Sequence, residues 1–321
     1  MQQNQIKVIY QLGDLFDRRK FINFNTLAEC KRYFFDYLHQ NGIQLITLLG
    51  NHDIFWKESL AVNAQSLILG EYNNITIIDR PEVFYVFDDD GKETSIDIIP
   101  WICKENEVDV TKFIADSKSD LCLGHFEIAG FPMYRGMHAE EGLSHEMFTR
   151  YERVLSGHYH TRSKQENIEY IGTPYEMTWQ DSGDPKGFSV FDTETRELTF
   201  HQNPFTIHEK IEYNDKDQEP LDLTTIQLKD KYIKLVVINK TDLYKFDRFV
   251  NTLYEQEPYE VKIIEDLSEF NEGTIDAEIN LEDTVSILGN YIDSVQTEGD
   301  KEAIKTFVKS LYIEAINQEV V

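Results

Sequence analysis

Four short strings limit what this chain can fold into more than any other feature: Gly13-Asp14-Leu15-Phe16-Asp17, Gly50-Asn51-His52-Asp53, Gly124-His125 and Gly157-His158-Tyr159-His160. In each, a glycine and polar residues stand at the end of a short apolar run. Runs 6–10, 45–49, 96–99 and 121–123 read as strands, and segments 26–39 and 60–69 read as amphipathic helices between them. Strands that alternate with helices predict an α/β sheet with helices on its faces. The carboxyl ends of such strands are where that architecture gathers a site.

Taken singly, each string has an ordinary structural reading. Gly-Asp at a strand end makes a turn, Asn51-His52-Asp53 can cap a helix, and a lone histidine such as His125 is commonly a packed side chain. His158 and His160 are two apart, which in extended chain puts both imidazoles on one face. Four such strings together exceed what packing needs. They offer a carboxylate, an amide oxygen and three imidazoles. A mixed oxygen and nitrogen set without thiolate suits Mn²⁺, Fe²⁺ or Zn²⁺ better than Mg²⁺ or Ca²⁺.

The rest of the chain of 321 residues divides by composition and period. Residues 1–200 hold the four strings. Residues 205–265 read as a smaller α/β unit, with a strand at 232–238, an amphipathic helix marked by Phe246, Val250 and Leu253, and a strand at 261–264. Residues 266–280 carry Asp266, Glu269, Glu272, Asp276 and Glu278 with no basic residue, which is an acidic linker. Residues 281–321 read as a helical hairpin. Val285, Leu288, Ile292 and Val295 form one apolar stripe, Gly299 breaks the chain, and Ile304, Val308, Leu311 and Ala315 form the second.

No apolar run approaches the roughly 18 residues of a membrane span, and the amino terminus lacks the pattern of a secretory signal. Cys30, Cys103 and Cys122 are too scattered for a disulfide framework, so a reducing, cytoplasmic compartment is expected. The formal net charge is −27. A chain that held nucleic acid by charge alone would be basic, so work on DNA would need bound metal, a local basic patch or a partner. The best local basic cluster is Arg18, Arg19 and Lys20, which reads equally as a solvated turn.

The pattern GD…GNHD…GH…GHxH resembles the signature of the calcineurin-like metallophosphoesterases, whose sites hold two metal ions. The strings YQLGDLFDRRK, IDIIPWICKEN, GHFEIAGFPMYRGM, YIGTPYEMT and GDPKGFSVFDTET extend the resemblance to the meiotic-recombination-eleven nucleases, called SbcD in bacteria. The version in large tailed phages looks most similar. The fold implied is α/β: a two-layer metallophosphoesterase sandwich with a small α/β capping domain and a C-terminal helical hairpin. The activity implied is Mn²⁺-dependent hydrolysis of DNA phosphodiester bonds, as exonuclease and endonuclease, in recombination and repair.

By the same resemblance, Asp14 matches the carboxylate that bridges two metals. Asn51, His125 and His158 match the other ligands of one ion, and His160 matches a ligand of the other. His52 matches the catalytic histidine at the scissile phosphate, with Asp17 and Asp53 in support. The family's opening Asp-x-His does not precede Asp14 here. The second ion is therefore expected to keep only Asp14 and His160, beside an unpaired sheet edge. A coiled-coil ABC-type ATPase partner and a homodimer through segments 26–39 or 60–69 are also implied, with no membrane. Two other readings stay open: a metallophosphoesterase for nucleotides or phosphoproteins, and a degenerate subunit that only scaffolds the ATPase.

Overall fold

Period-two alternation in the strands builds two sheets around one core. The computed structural model describes residues 6–87, 90–134, 137–216 and 219–265, with Ile292, Lys301, Ile304 and Lys305 on helical backbone beyond them. Strand Gln44–Leu48 lies between Val8–Gln11 and Ile75–Ile78, parallel to both. The second sheet runs in the order Ser163–Gln165, Ile168–Tyr170, Arg153–Gly157, Leu121–His125, Glu93–Ile99 and Glu82–Phe87. Its inner four strands are parallel and its outer two antiparallel.

The sheets pack face to face. Leu12, Ile46, Leu48 and Ile78 on one side meet Ile96, Ile98, Leu121, Leu123 and Leu155 on the other. Alternate residues point outward. Leu45 packs with Phe35, Leu38 and Leu69 of the flanking helices. Ile99, Cys122 and Val154 pack with Val110 and Ile114 of helix Glu107–Asp116. The result is the expected α/β sandwich, with helices on its outer faces. Among the described residues, strand Val8–Gln11 has one strand neighbour and forms an edge of its sheet.

Two expected helices come out differently. The segment 60–69 is half strand: Ser59–Asn63 pairs antiparallel with Ile54–Trp56, and the helix is Ala64–Leu69. Asn63 makes the switch, since its backbone is extended while its side chain accepts from the Ser66 N–H as a helix cap. Apolar spacing over ten residues fits either period, and the cap decides. The segment 26–39 is helical but irregular. It begins at Phe24, capped by Asn23, and passes through a π turn at Lys31–Phe35 before closing with Asp36–Gln40.

Beyond residue 205, parallel strands His208–Asn214, Tyr232–Asn239 and Glu260–Glu265 carry helix Leu243–Glu255 on one face. Ile233, Leu235 and Val237 pack beneath Phe249 and Leu253 in a core of their own. The expected acidic linker and helical hairpin lie outside the described residues, save the four positions named above. No helix among the described residues is long and apolar enough to cross a membrane.

Candidate metal centre

Adjacent strand ends deliver the polar residues of the four strings to one place. Asp14 follows strand Val8–Gln11, Asn51 follows Gln44–Leu48, His125 closes Leu121–His125, and His158 follows Arg153–Gly157. Gly157 is the register partner of His125, so the last two arrive side by side. His125 Nε2 stands 3.2 Å from Asp14 Oδ2 and 3.0 Å from Asn51 Oδ1. His158 Nδ1 stands 3.2 Å from the same Asn51 oxygen and 3.3 Å from His125 Nε2.

These separations test whether a metal ion fits. A cation about 2.1 Å from each donor leaves donor–donor edges of about 3.0–3.4 Å, and the observed edges fall there. His125 Nδ1 donates to the Leu12 carbonyl at 2.7 Å, which fixes the tautomer and turns the Nε2 lone pair inward. Several lone pairs then converge on one point, an arrangement that only a proton or a cation relieves. The proton affinities report this field. Burial opposes charge on His125, yet Asp14 and the Leu12 carbonyl raise its pKa above the ordinary value. Burial opposes ionisation of Asp14, but His125 and the His52 N–H hold its carboxyl at about 2. Burial, then His125, lowers His158 to about 3, which keeps that imidazole neutral and able to ligate.

The loops are held from beneath by Asp53, whose side chain is fully buried. Its carboxylate accepts from the N–H groups of Asp14 (2.8 Å), Phe16 (3.1 Å) and Gly50 (2.8 Å), and from Gln65 Nε2 (2.8 Å). It thus ties the first string to the second. Asp14 and His158 both have left-handed backbone, with φ of 54° and 88°. Such strain in non-glycine residues gathers at functional sites. Gly157 is required by close approach, because a Cβ there would collide with the Leu12 carbonyl that orients His125.

His52 stands outside the ligand group. Its Nδ1 lies 2.6 Å from the backbone carbonyl of Asp17, which can only accept. The Asp17 carboxylate is exposed and faces Arg18 at 3.8 Å, so Asp17 meets the site through its carbonyl rather than its charge. Arg18 also lies over the Phe21 ring; Arg18 and Lys20 are exposed and Arg19 is half-buried.

His160 is not brought into the group. Among the described residues the set close enough to share an ion is Asp14, His125 and His158, with Asn51 Oδ1 between the two imidazoles. The chain at His158 is not extended, so the face shared by alternate residues does not carry over to His160. Its Nδ1 faces the buried carboxylate of Asp181 at 3.5 Å.

Four contributors escaped sequence reasoning. The Leu12 carbonyl carries no side-chain signal. Trp101 walls the site, with its ring 5.4 Å from His158 and 5.9 Å from His125; its place in the string Pro100-Trp101 after a strand was the available hint. Asp181 and Lys186 belong to a string that stands out only for its resemblance.

A model of the calcineurin-like phosphoesterase family matches residues 1–162. Exonuclease subunit 1 of Enterobacteria phage T4 is 33% identical over 317 residues, covering 97% of this chain and 88% of that protein. A subunit of the nuclease SbcCD from Staphylococcus saprophyticus is 22% identical over 339 residues, covering 93% of this chain and 85% of that protein. With the sandwich fold and the convergent strand ends already described, these matches establish that the chain belongs to the calcineurin-like phosphoesterase family.

Proposed function

We propose that this chain is a metal-dependent DNA nuclease subunit that hydrolyses phosphodiester bonds at DNA ends, as exonuclease and endonuclease. The observation that carries the reading is the convergence of Asp14, Asn51, His125 and His158 at edges of 3.0–3.3 Å. The two relatives named as exonuclease and nuclease subunits support DNA as the substrate. Those four residues would hold one ion, and Asp14 with His160 would contribute to a second; Mn²⁺ suits the donor set. Bound there, such ions supply Lewis-acid stabilisation of phosphate oxygens and hydroxide at neutral pH.

The chain's own side chains do the remaining work. The Asp17 carbonyl keeps the proton of His52 on Nδ1, leaving Nε2 as the ring atom for substrate. A proton taken up at Nε2 gives an imidazolium that the same carbonyl stabilises and that can donate to a charged phosphate oxygen. Trp101 shields one side of the ligand imidazoles from water. Arg18, Arg19 and Lys20, in the loop whose carbonyl holds His52, would contact DNA phosphates.

The test is His52→Ala. Cleavage of linear duplex DNA should fall about 10²–10³-fold, with metal content by elemental analysis and the unfolding curve unchanged. Loss of metal in this variant would put His52 among the ligands and overturn its role. Linear duplex run beside a small chromogenic phosphodiester separates a nuclease from a phosphoesterase of broader range.

The partner is proposed to be a coiled-coil ABC-type ATPase, joined through the apolar stripes in 281–321, and the working unit a homodimer in the cytoplasm. Free thiols at Cys30, Cys103 and Cys122 suit a reducing compartment. Deleting 281–321 should abolish co-purification with the ATPase while binding of the first metal ion persists. Retained co-purification would defeat that assignment.

A further inference from the structure

The string Asp181-Ser182-Gly183-Asp184-Pro185-Lys186 holds two charged side chains that the reaction described above does not use. Lys186 is 4% exposed, and a lysine buried to this extent is tolerated only when its ammonium is matched. Here each of its three protons has an acceptor: Asp181 Oδ1 at 2.8 Å, Asp184 Oδ2 at 2.9 Å and the backbone carbonyl of His160 at 2.8 Å. Asp181, 2% exposed, is fixed just as fully. Its Oδ2 accepts from the N–H groups of Met177 (3.0 Å) and Thr178 (2.9 Å), and that same oxygen faces His160 Nδ1 at 3.5 Å.

The outcome is a double grip on one histidine. Lys186 holds the His160 backbone by its carbonyl, and the carboxylate that Lys186 orients stands against the His160 ring. With one oxygen engaged by the ammonium and the other by two backbone N–H groups and the Thr178 hydroxyl (3.3 Å), that carboxylate cannot rotate away. An ionised carboxylate only accepts, so of the two neutral tautomers it suits the one with the proton on Nδ1, whose Nε2 lone pair is on the opposite edge. Two carboxylates and one ammonium behind the ring also leave a net charge of −1 there, which makes the imidazole a stronger donor to a cation in front. His125 has its tautomer fixed by the Leu12 carbonyl, so the two histidines are oriented by different devices.

We propose that Asp181, braced by Lys186, is a positioning residue that fixes the Nδ1–H tautomer of His160 and so presents Nε2 as a metal ligand. The ligand half of this statement rests on the assignment of His160 to the second ion made above; the tautomer half does not.

Ring-¹⁵N-labelled histidine in the full chain tests it, with the His160 signals identified by their loss in His160→Asn. In metal-free protein the His160 ring should be in the Nδ1–H form, and titration with Zn²⁺ should move its Nε2 signal. In Asp181→Asn the ring should become a mixture of tautomers, and the zinc concentration that moves it should rise about 10–100-fold. The His125 and His158 signals should respond to zinc as before, which also shows that the variant is folded. An Nε2–H ring in the unaltered protein overturns the proposal without any variant. So does an Asp181→Asn protein whose tautomer and zinc response are unchanged. An Nδ1–H ring that mixes in Asp181→Asn but never responds to zinc supports the hold of Asp181 and overturns the ligand assignment instead.

Discussion

At the scale of the residue, the site depends on groups that cannot be read as chemistry until their partners are known. Asp53 is the clearest case. In the string Gly50-Asn51-His52-Asp53 the sequence assigns it only a supporting part of unstated kind; in the fold it is fully buried and its oxygens are saturated by N–H donors, most of them from the two loops. Removing it would leave several buried donors without an acceptor, each costing about 1–3 kcal/mol. Asp53→Ala should therefore destabilise the protein by about 3 kcal/mol or more in urea unfolding. First-ion affinity should fall with it, because the Asp14 N–H loses its anchor. A loss below about 1 kcal/mol would show that water replaces the carboxylate and that Asp53 is not the tie between the loops. That ligand-type side chains recur after strands was legible from spacing that packing does not ask for, but the grouping of Asp14, Asn51, His125 and His158 on one ion came only from the family resemblance.

At the scale of the element, the strand ends matter more than the strands. Arg153–Gly157 and Leu121–His125 run in register, so Gly157 sits against His125 and beneath Leu12. Gly157→Ala would push its methyl group into the carbonyl that holds the His125 ring. The cost of such overpacking is about 1–3 kcal/mol, and first-ion affinity should fall at least about tenfold as the ring turns. Calorimetric metal titration measures the second effect; unchanged affinity would mean that the Leu12 carbonyl does not orient His125. Elements also show where sequence reading fails. Over 60–63 the expected helix gave way to strand Ser59–Asn63, which folds back on Ile54–Trp56 as a tight hairpin, because apolar spacing over so short a segment fits either period. That hairpin and the helix after it place Gln65 within 2.8 Å of Asp53.

At the scale of the whole molecule, burial of tyrosines sets an alkaline limit. Tyr151 donates to Asp97 at 2.6 Å and Tyr170, itself in the second sheet, to the Phe126 carbonyl at 2.9 Å, and both are buried in the same core. Burial pushes Tyr159 up to about 12, helped by Glu127, and raises Tyr151 and Tyr170 further. Unfolded tyrosine ionises near 10. Above that pH the unfolded state binds fewer protons than the folded one, so stability falls as pH rises. The contribution of the three phenols is complete below about pH 10. It should decline by about 1.4 kcal/mol per pH unit for each phenol through the range up to and beyond pH 12. Denaturant midpoints measured from pH 9 to 12 check this, and tyrosinate absorbance should appear with unfolding. Titration of these phenols before unfolding would contradict it.

Local patterns along the chain suffice for the class of architecture, for a metal-ligating type of chemistry and for the identity of the side chains offered to it. Apolar period, glycine placement and residue type carry all three, and none of them needs a distant partner to be recognised. How those side chains are aimed is settled only by folding. The tautomer of His125 is set by a carbonyl 113 positions away in the chain. The ring of His52 is set by the carbonyl of Asp17, and that of His160 faces Asp181. Orientation depends on acceptors that reach the site from other strands and loops. A backbone carbonyl is the same at every position of a sequence, so its part in the site exists only once the chain has folded.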